Sequence, residues 1–153
     1  MTKHLLIAVA VTLSAFSAEA QTVKEKKARA NVDEKFAEST ARVKDCGKTF
    51  KFVYDWKAFE AADFKKAGRE KMDQLGSEPV SIEGFGDAIN TLCADKDYKE
   101  ALQKISTIVY KPTGNSDITV KASVKGDTLT FENYMFGSSR AASDYEYAAK
   151  EAL

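Results

Sequence analysis

The stretch Ile118 to Phe131, ITVKASVKGDTLTF, has the fewest ways to fold of any in this chain. Ile118, Val120, Ala122 and Val124 alternate with Thr119, Lys121, Ser123 and Lys125, the two-residue period of a strand with one buried face. Leu129 and Phe131 carry the apolar side beyond Gly126-Asp127, a two-residue loop with Gly first, as a type II′ turn requires. That loop pairs Lys125 with Thr128 and sets Val124 opposite Leu129 and Ala122 opposite Phe131. A slip of one residue would turn one strand's apolar side to water. Thr107 to Lys111 reads as a further short strand, stopped by Pro112, and completes a three-stranded antiparallel meander over about 107–134.

Helices are expected on both sides of that meander. Residues 22–46 contain neither Gly nor Pro, and Val32, Phe36, Val43 and Cys46 fall on one face of a 3.6-residue period, with Gly47 as the C-cap. In Lys48 to Trp56 the aromatics Phe50, Phe52 and Tyr54 alternate with other residues, which favours a strand, although the same residues could open the next helix. Asp55 is placed to cap a helix from Trp56 to Leu75, with Gly68 as a weak point and Gly76 as its end. The sequence Gly76 to Pro79 reads as a turn into a third helix over roughly 80–93, whose inner face is Ile82, Phe85, Ile89 and Leu92. Asp97 and Glu100 have the spacing of a capping box and open a fourth helix. After an aromatic run at 134–136, Ser138 or Ser139 is expected to cap a last helix ending at Leu153. The pattern predicts an α+β fold in which N-terminal helices pack on a small antiparallel meander and one C-terminal helix follows.

The first twenty residues read as an address. Lys3 and His4 precede an apolar run from Leu5 to Phe16, and Ala18-Glu19-Ala20 supplies the small residues of a signal-peptidase site. The apolar run falls short of the ~20 residues that span a bilayer. Residues 1–20 are therefore expected to be a cleaved signal peptide and residues 21–153 a single domain, periplasmic or secreted, with no membrane insertion after cleavage.

This address governs the chemistry. His4 is the only histidine, so a mature chain starting at Gln21 has none. Ser-His-Asp and Cys-His nucleophilic sites, imidazole bases and histidine-bound zinc are thereby excluded. Acidic and basic residues balance at 23 each, which gives no reason to expect a nucleic-acid partner. In an oxidising compartment, Cys46 and Cys93 are expected to form a structural disulfide. Gly84-Phe85-Gly86 follows no strand and is not read as a phosphate loop. No catalytic, metal or cofactor-binding motif emerges, and no cofactor is implied.

One candidate patch remains, the aromatic group Tyr110, Tyr134, Met135 and Phe136 at the rim of the sheet. The same side chains would also serve to complete a core beneath the last helix. Three functions fit. The first is an exported non-enzymatic interaction module that binds another periplasmic or extracellular protein. The second is a carrier of a small apolar ligand, and the third a carboxylate-based glycan hydrolase.

Overall fold

The computed structural model describes residues 22–138 and 140–153; the expected signal peptide and its cleavage point lie outside them, as does Ser139. Helix α1 (Val23–Ala41) starts where the Thr22 side chain accepts the Glu25 N–H. It stops five residues short of the expected Cys46. Past Ala41 the N–H groups of Lys44 and Asp45 both turn to the side chain of Asn90, at 3.1 and 3.2 Å, which peels the chain away from helical geometry. The ambiguous aromatic stretch resolves as strand β1 (Lys51–Tyr54).

Asp55 does cap the next helix, accepting the Ala58 N–H at 2.9 Å, but that helix, α2 (Trp56–Glu60), is one turn and a half long. The helix expected to run to Leu75 breaks, and Gly68 marks the end of the break. Its φ is +63° with open space around it, so glycine is needed there for its backbone freedom. Helix α3 (Lys71–Ala94) then runs straight through the expected Gly76–Pro79 turn. Buried positions Leu75, Glu78, Ile82, Phe85, Ile89 and Leu92 form one unbroken inner stripe, and packing along that stripe outweighs the hydrogen bond that Pro79 cannot make. Helix α4 (Lys96–Leu102) is capped by Asp95, two residues earlier than expected.

The antiparallel meander is only partly correct. Strands β2 (Thr107–Thr113), β3 (Val120–Lys125) and β4 (Thr128–Tyr134) join β1 in a four-stranded mixed sheet of order β1-β2-β4-β3. The hairpin has the expected register, with Val124 opposite Leu129 and Ala122 opposite Phe131. However, β2 pairs in parallel with both β1 and β4 and does not touch β3. Side-chain size decides the order. Leu129, Phe131 and Asn133 of β4 are wholly buried, as interior positions demand, whereas Val120 and Ala122 of β3 are only half-buried and Val124 is 40% exposed. Pro112 does not stop β2, because the carbonyl of Tyr110, two residues earlier, already accepts the Asp55 N–H. By strand alternation the N–H that Pro112 lacks would point to the same side, where β1 has ended.

Helix α5 (Ala142–Ala152) begins after Ala141, and its first turn is fixed by the Asp144 carboxylate accepting the Ala141 N–H at 2.9 Å, not by a serine cap. One contiguous core joins the sheet to the helices, built around Tyr110, Phe131, Phe85 and Tyr145. Cys46 and Cys93 lie at disulfide distance, with Cα atoms 4.6 Å apart, and close a 47-residue separation. Such a loop contributes on the order of 4 kcal/mol in the chain-entropy account.

The Gly84-Phe85-Gly86 triplet acts in packing. A Cβ on Gly84 would lie 2.8 Å from the Ala142 nitrogen at the start of α5, and one on Gly86 would overlap the Ser39 carbonyl of α1. The Ser39 hydroxyl sits in the α3 ladder, donating to the Ile82 carbonyl (2.8 Å) and accepting from the Gly86 N–H (2.9 Å). Replacing Gly86 with Ala should therefore cost about 3 kcal/mol or more, at or beyond the upper end of overpacking penalties. Replacing Gly76 with Ala, where nothing lies within 4 Å, should stabilise by roughly 0.5–1 kcal/mol. Urea unfolding of the two variants checks both signs.

Candidate functional site

The parallel strands β1, β2 and β4 all point their carboxyl ends the same way, and the loops that leave them surround an open cleft of 630 Å³. This is where parallel sheets commonly bind ligands, because strand ends diverge there and the loops carry exchangeable side chains. From the segment after α2 come Ala62, Asp63 and Lys66; from the loop after β2 come Asn115, Ser116 and Asp117; from the end of β4 come Tyr134 and Phe136.

Local hydrogen bonds fix each loop. Asp63 accepts the Lys66 N–H at 2.9 Å, and the Arg69 N–H closes back on the Phe64 carbonyl at 2.9 Å. Thr113 accepts the Asn115 N–H, and Asn115 in turn accepts the Asp117 N–H at 3.1 Å. Phe136 packs edge-on against both Phe64 and Tyr134. Gly114 lets that ring lie close, since a Cβ there would come within 3.2 Å of it. The cleft thus has an aromatic wall and a rim of donors and acceptors on short, braced loops.

The four residues of the aromatic patch separate. Tyr134 is half-buried and lines the cleft with Phe136, which is buried apart from its contribution to that wall. Tyr110 is wholly buried at the centre of the core, and Met135 is buried in the same core. Cys46 and Cys93 are remote from chemistry, as both are buried and bonded to each other. Two further carboxylates have structural partners: Glu60 bridges Arg29 and Lys71, and Asp95 caps α4. A second depression of 410 Å³ between α1 and α3 is lined by groups already engaged, Lys35 with Glu38 and Arg42 with the Glu83 carbonyl. Among the described residues, no group of three acidic or cysteine side chains is placed to hold a metal ion.

Behind the cleft runs a buried polar chain that sequence reasoning missed. Glu78 is wholly buried, and it accepts hydrogen bonds from the Tyr54 hydroxyl and from Gln74, each at 3.1 Å. Tyr54 stacks on Tyr110, whose hydroxyl accepts from Asn133 at 2.7 Å. Tyr145 donates to the Ser81 carbonyl at 2.7 Å and lies 3.4 Å from the Tyr110 hydroxyl. Arg140 binds both Asn133 and the Tyr134 carbonyl, at 3.3 Å each, so the chain ends at the cleft wall. Burial raises the hydroxyl pKa of Tyr54, Tyr110 and Tyr145, keeping all three protonated. Burial also raises the Glu78 carboxyl, against the opposing pull of its Gln74 and Tyr54 hydrogen bonds. No molecule in the cleft can touch Glu78 without opening the core. Its only signal in the sequence is a charged residue in register with an apolar stripe.

No protein-family model matches the chain, and no curated protein or solved structure is detectably similar to it.

The raised Glu78 pKa has a definite sign for stability. Below about pH 4.5 the carboxyl is protonated in both the folded and unfolded chain. As pH rises past that value, the unfolded chain releases the proton first, so this group's contribution to stability falls until the folded-state carboxyl has also ionised. The thermal midpoint of the wild type should therefore drop more steeply between pH 4.5 and 8 than that of a Glu78→Gln variant. Parallel slopes in a pH series would assign no such role to Glu78.

Proposed function

We propose that this chain is an exported, non-enzymatic binding module that holds a small polar ligand with one flat apolar face in the cleft at the carboxyl ends of its parallel strands. The observation that carries the reading is the juxtaposition of the Tyr134–Phe136 wall with the braced Asn115–Asp117 rim in one 630 Å³ cleft. That size lies within the ~300–1,000 Å³ typical of small-molecule sites. A saccharide ring combines the two chemistries, offering C–H groups to an aromatic face and hydroxyls to a fixed polar rim. A wholly apolar cargo is the weaker fit, because Asp63, Lys66 and Asp117 would lose water without gaining partners. Export is supported by the Cys46–Cys93 pair, which belongs in an oxidising compartment.

The same cleft favours one second reading. Asp63 and Asp117 stand on two different loops around it, and two carboxylates flanking an aromatic sugar platform are the elements of glycoside hydrolysis. Turnover separates the two readings. Isothermal titration with soluble cell-wall glycan fragments should show binding, weakened at least tenfold by Tyr134→Ala, with no release of reducing ends. Glycan cleavage that disappears in Asp63→Asn or Asp117→Asn would replace the module with the hydrolase. Absence of binding to any glycan fragment would overturn the saccharide assignment.

A further inference from the structure

The sheet has a second face. The registers place four rows of side chains on the side away from the core: Lys51, Thr107, Thr128 and Lys125; then Val53, Val109, Thr130 and Ser123; then Lys111, Glu132 and Lys121; then Thr113 and Tyr134. On the interior strands β2 and β4, every residue of this face is only partly buried, while every alternate residue is buried against the helices. This face therefore remains open to solvent. Four lysines stand on it against one glutamate, although the whole chain is neutral at 23 charges of each sign. Glu132 is already bound to Lys111 at 2.6 Å, and Lys51, Lys121 and Lys125 form no ion pair among the described residues. The result is a short-chained Val-Thr-Ser centre with unpaired cations along both edge strands.

We infer that this open face docks a short acidic segment of a partner polypeptide. Charge complementarity sets the sign of the occupant, and the dimensions set its length. Four strands and four rows span about 14 by 20 Å, the footprint of about six extended residues and well below the ~800 Å² per partner of a standard globular interface. Single-stranded nucleic acid is less suited, since its binding surfaces stack bases on aromatic rings, and only Tyr134, at one end, offers one. Lysines on edge strands also guard against sheet-to-sheet pairing. The three unpaired lysines all stand on edge strands, so the two roles are separated by binding rather than by position.

The test is an amide chemical-shift titration of the full mature protein with poly-L-glutamate of about 15 residues, with poly-L-lysine as the sign control. Shifts confined to the strand residues of this face are expected. A Lys121→Glu/Lys125→Glu variant should weaken binding at least tenfold with an unchanged thermal midpoint, and Lys51→Gln on the opposite edge should weaken it by a smaller factor. Shifts centred on the cleft loops 61–67 and 114–117, or on the helices, or none at all, would overturn the inference; Tyr134, shared by the face and the cleft, counts for neither. So would equal binding of oligo-dT or of phosphatidylglycerol vesicles, which would make the face a general anion surface. If the lysine variants aggregate while keeping their affinity for poly-L-glutamate, the lysines are edge guards and the docking role fails.

Discussion

Everything in this molecule is hung on the contact between Ser39 and Gly86. A serine hydroxyl placed between the Ile82 carbonyl and the Gly86 N–H occupies the position where an undisturbed helix would close its own hydrogen bond. Only a residue without a Cβ permits the approach, so α1 and α3 lock at one height and one rotation. The rest of that seam follows from the lock. Phe36 stacks on Phe85, Asn90 gathers the chain as it leaves α1, and Cys46 is delivered to Cys93 one turn further along α3. Phe85 in turn meets Tyr110, Phe131 and Tyr145 edge-on, and so the helix pair sets the orientation of the sheet beneath it.

The buried polar chain from Gln74 to Arg140 has a different purpose from the apolar core around it. A carboxyl without a cation partner is a costly thing to bury, and a well-packed hydrophobic residue would commonly be more stable at such a position. What the chain provides is geometry. Tyr54 and Tyr110, neighbours on β1 and β2, stack at 5.4 Å, and their hydroxyls are held by Glu78 and Asn133, which ties the two strands to α3 and β4. The last link, Arg140, holds the Tyr134 carbonyl, so the cleft wall is anchored to the interior rather than to a free loop.

The parts of this fold that were legible from sequence are those decided by local chemistry. The hairpin register followed from Gly126-Asp127 and an alternation visible by eye, and the Asp55 cap followed from its place before Trp56. What failed had distant causes. Glu78 interrupts the apolar stripe of α3, and beside Gly76 and Pro79 it made one 24-residue helix read as two with a turn between them. The stripe survives because Tyr54, 24 positions away, satisfies the carboxyl. The antiparallel meander failed because strand order depends on which partner has the bulk to fill an interior position, a comparison between strands that no single strand reveals. With the parallel pairing unseen, the cleft was unseen too. Asn115, Ser116 and Asp117 are ordinary loop residues until β1 and β4 end beside them. The aromatic run at 134–136 places two residues, Tyr134 and Phe136, in the cleft lining, but in sequence it did not separate residues lining a surface from those filling a core.

The open sheet face is the less ordinary half of the design. Strands that pair in parallel are normally covered on both sides, because the crossover helices fall there. Here the β1-to-β2 crossover supplies α2, α3 and α4, while the chain between β2 and β4 supplies only the edge strand β3 and no helix. A bare face must then be stable in water by itself, and its composition meets that need. Threonine and valine hold strand geometry without demanding burial, and the Lys111–Glu132 pair links β2 to β4 across the interior. Stability in water would be served equally well by lysines and glutamates in balance. The imbalance in favour of lysine goes beyond what stability in water requires, and two roles account for it: guarding the edge strands β1 and β3 against pairing, and meeting an acidic partner.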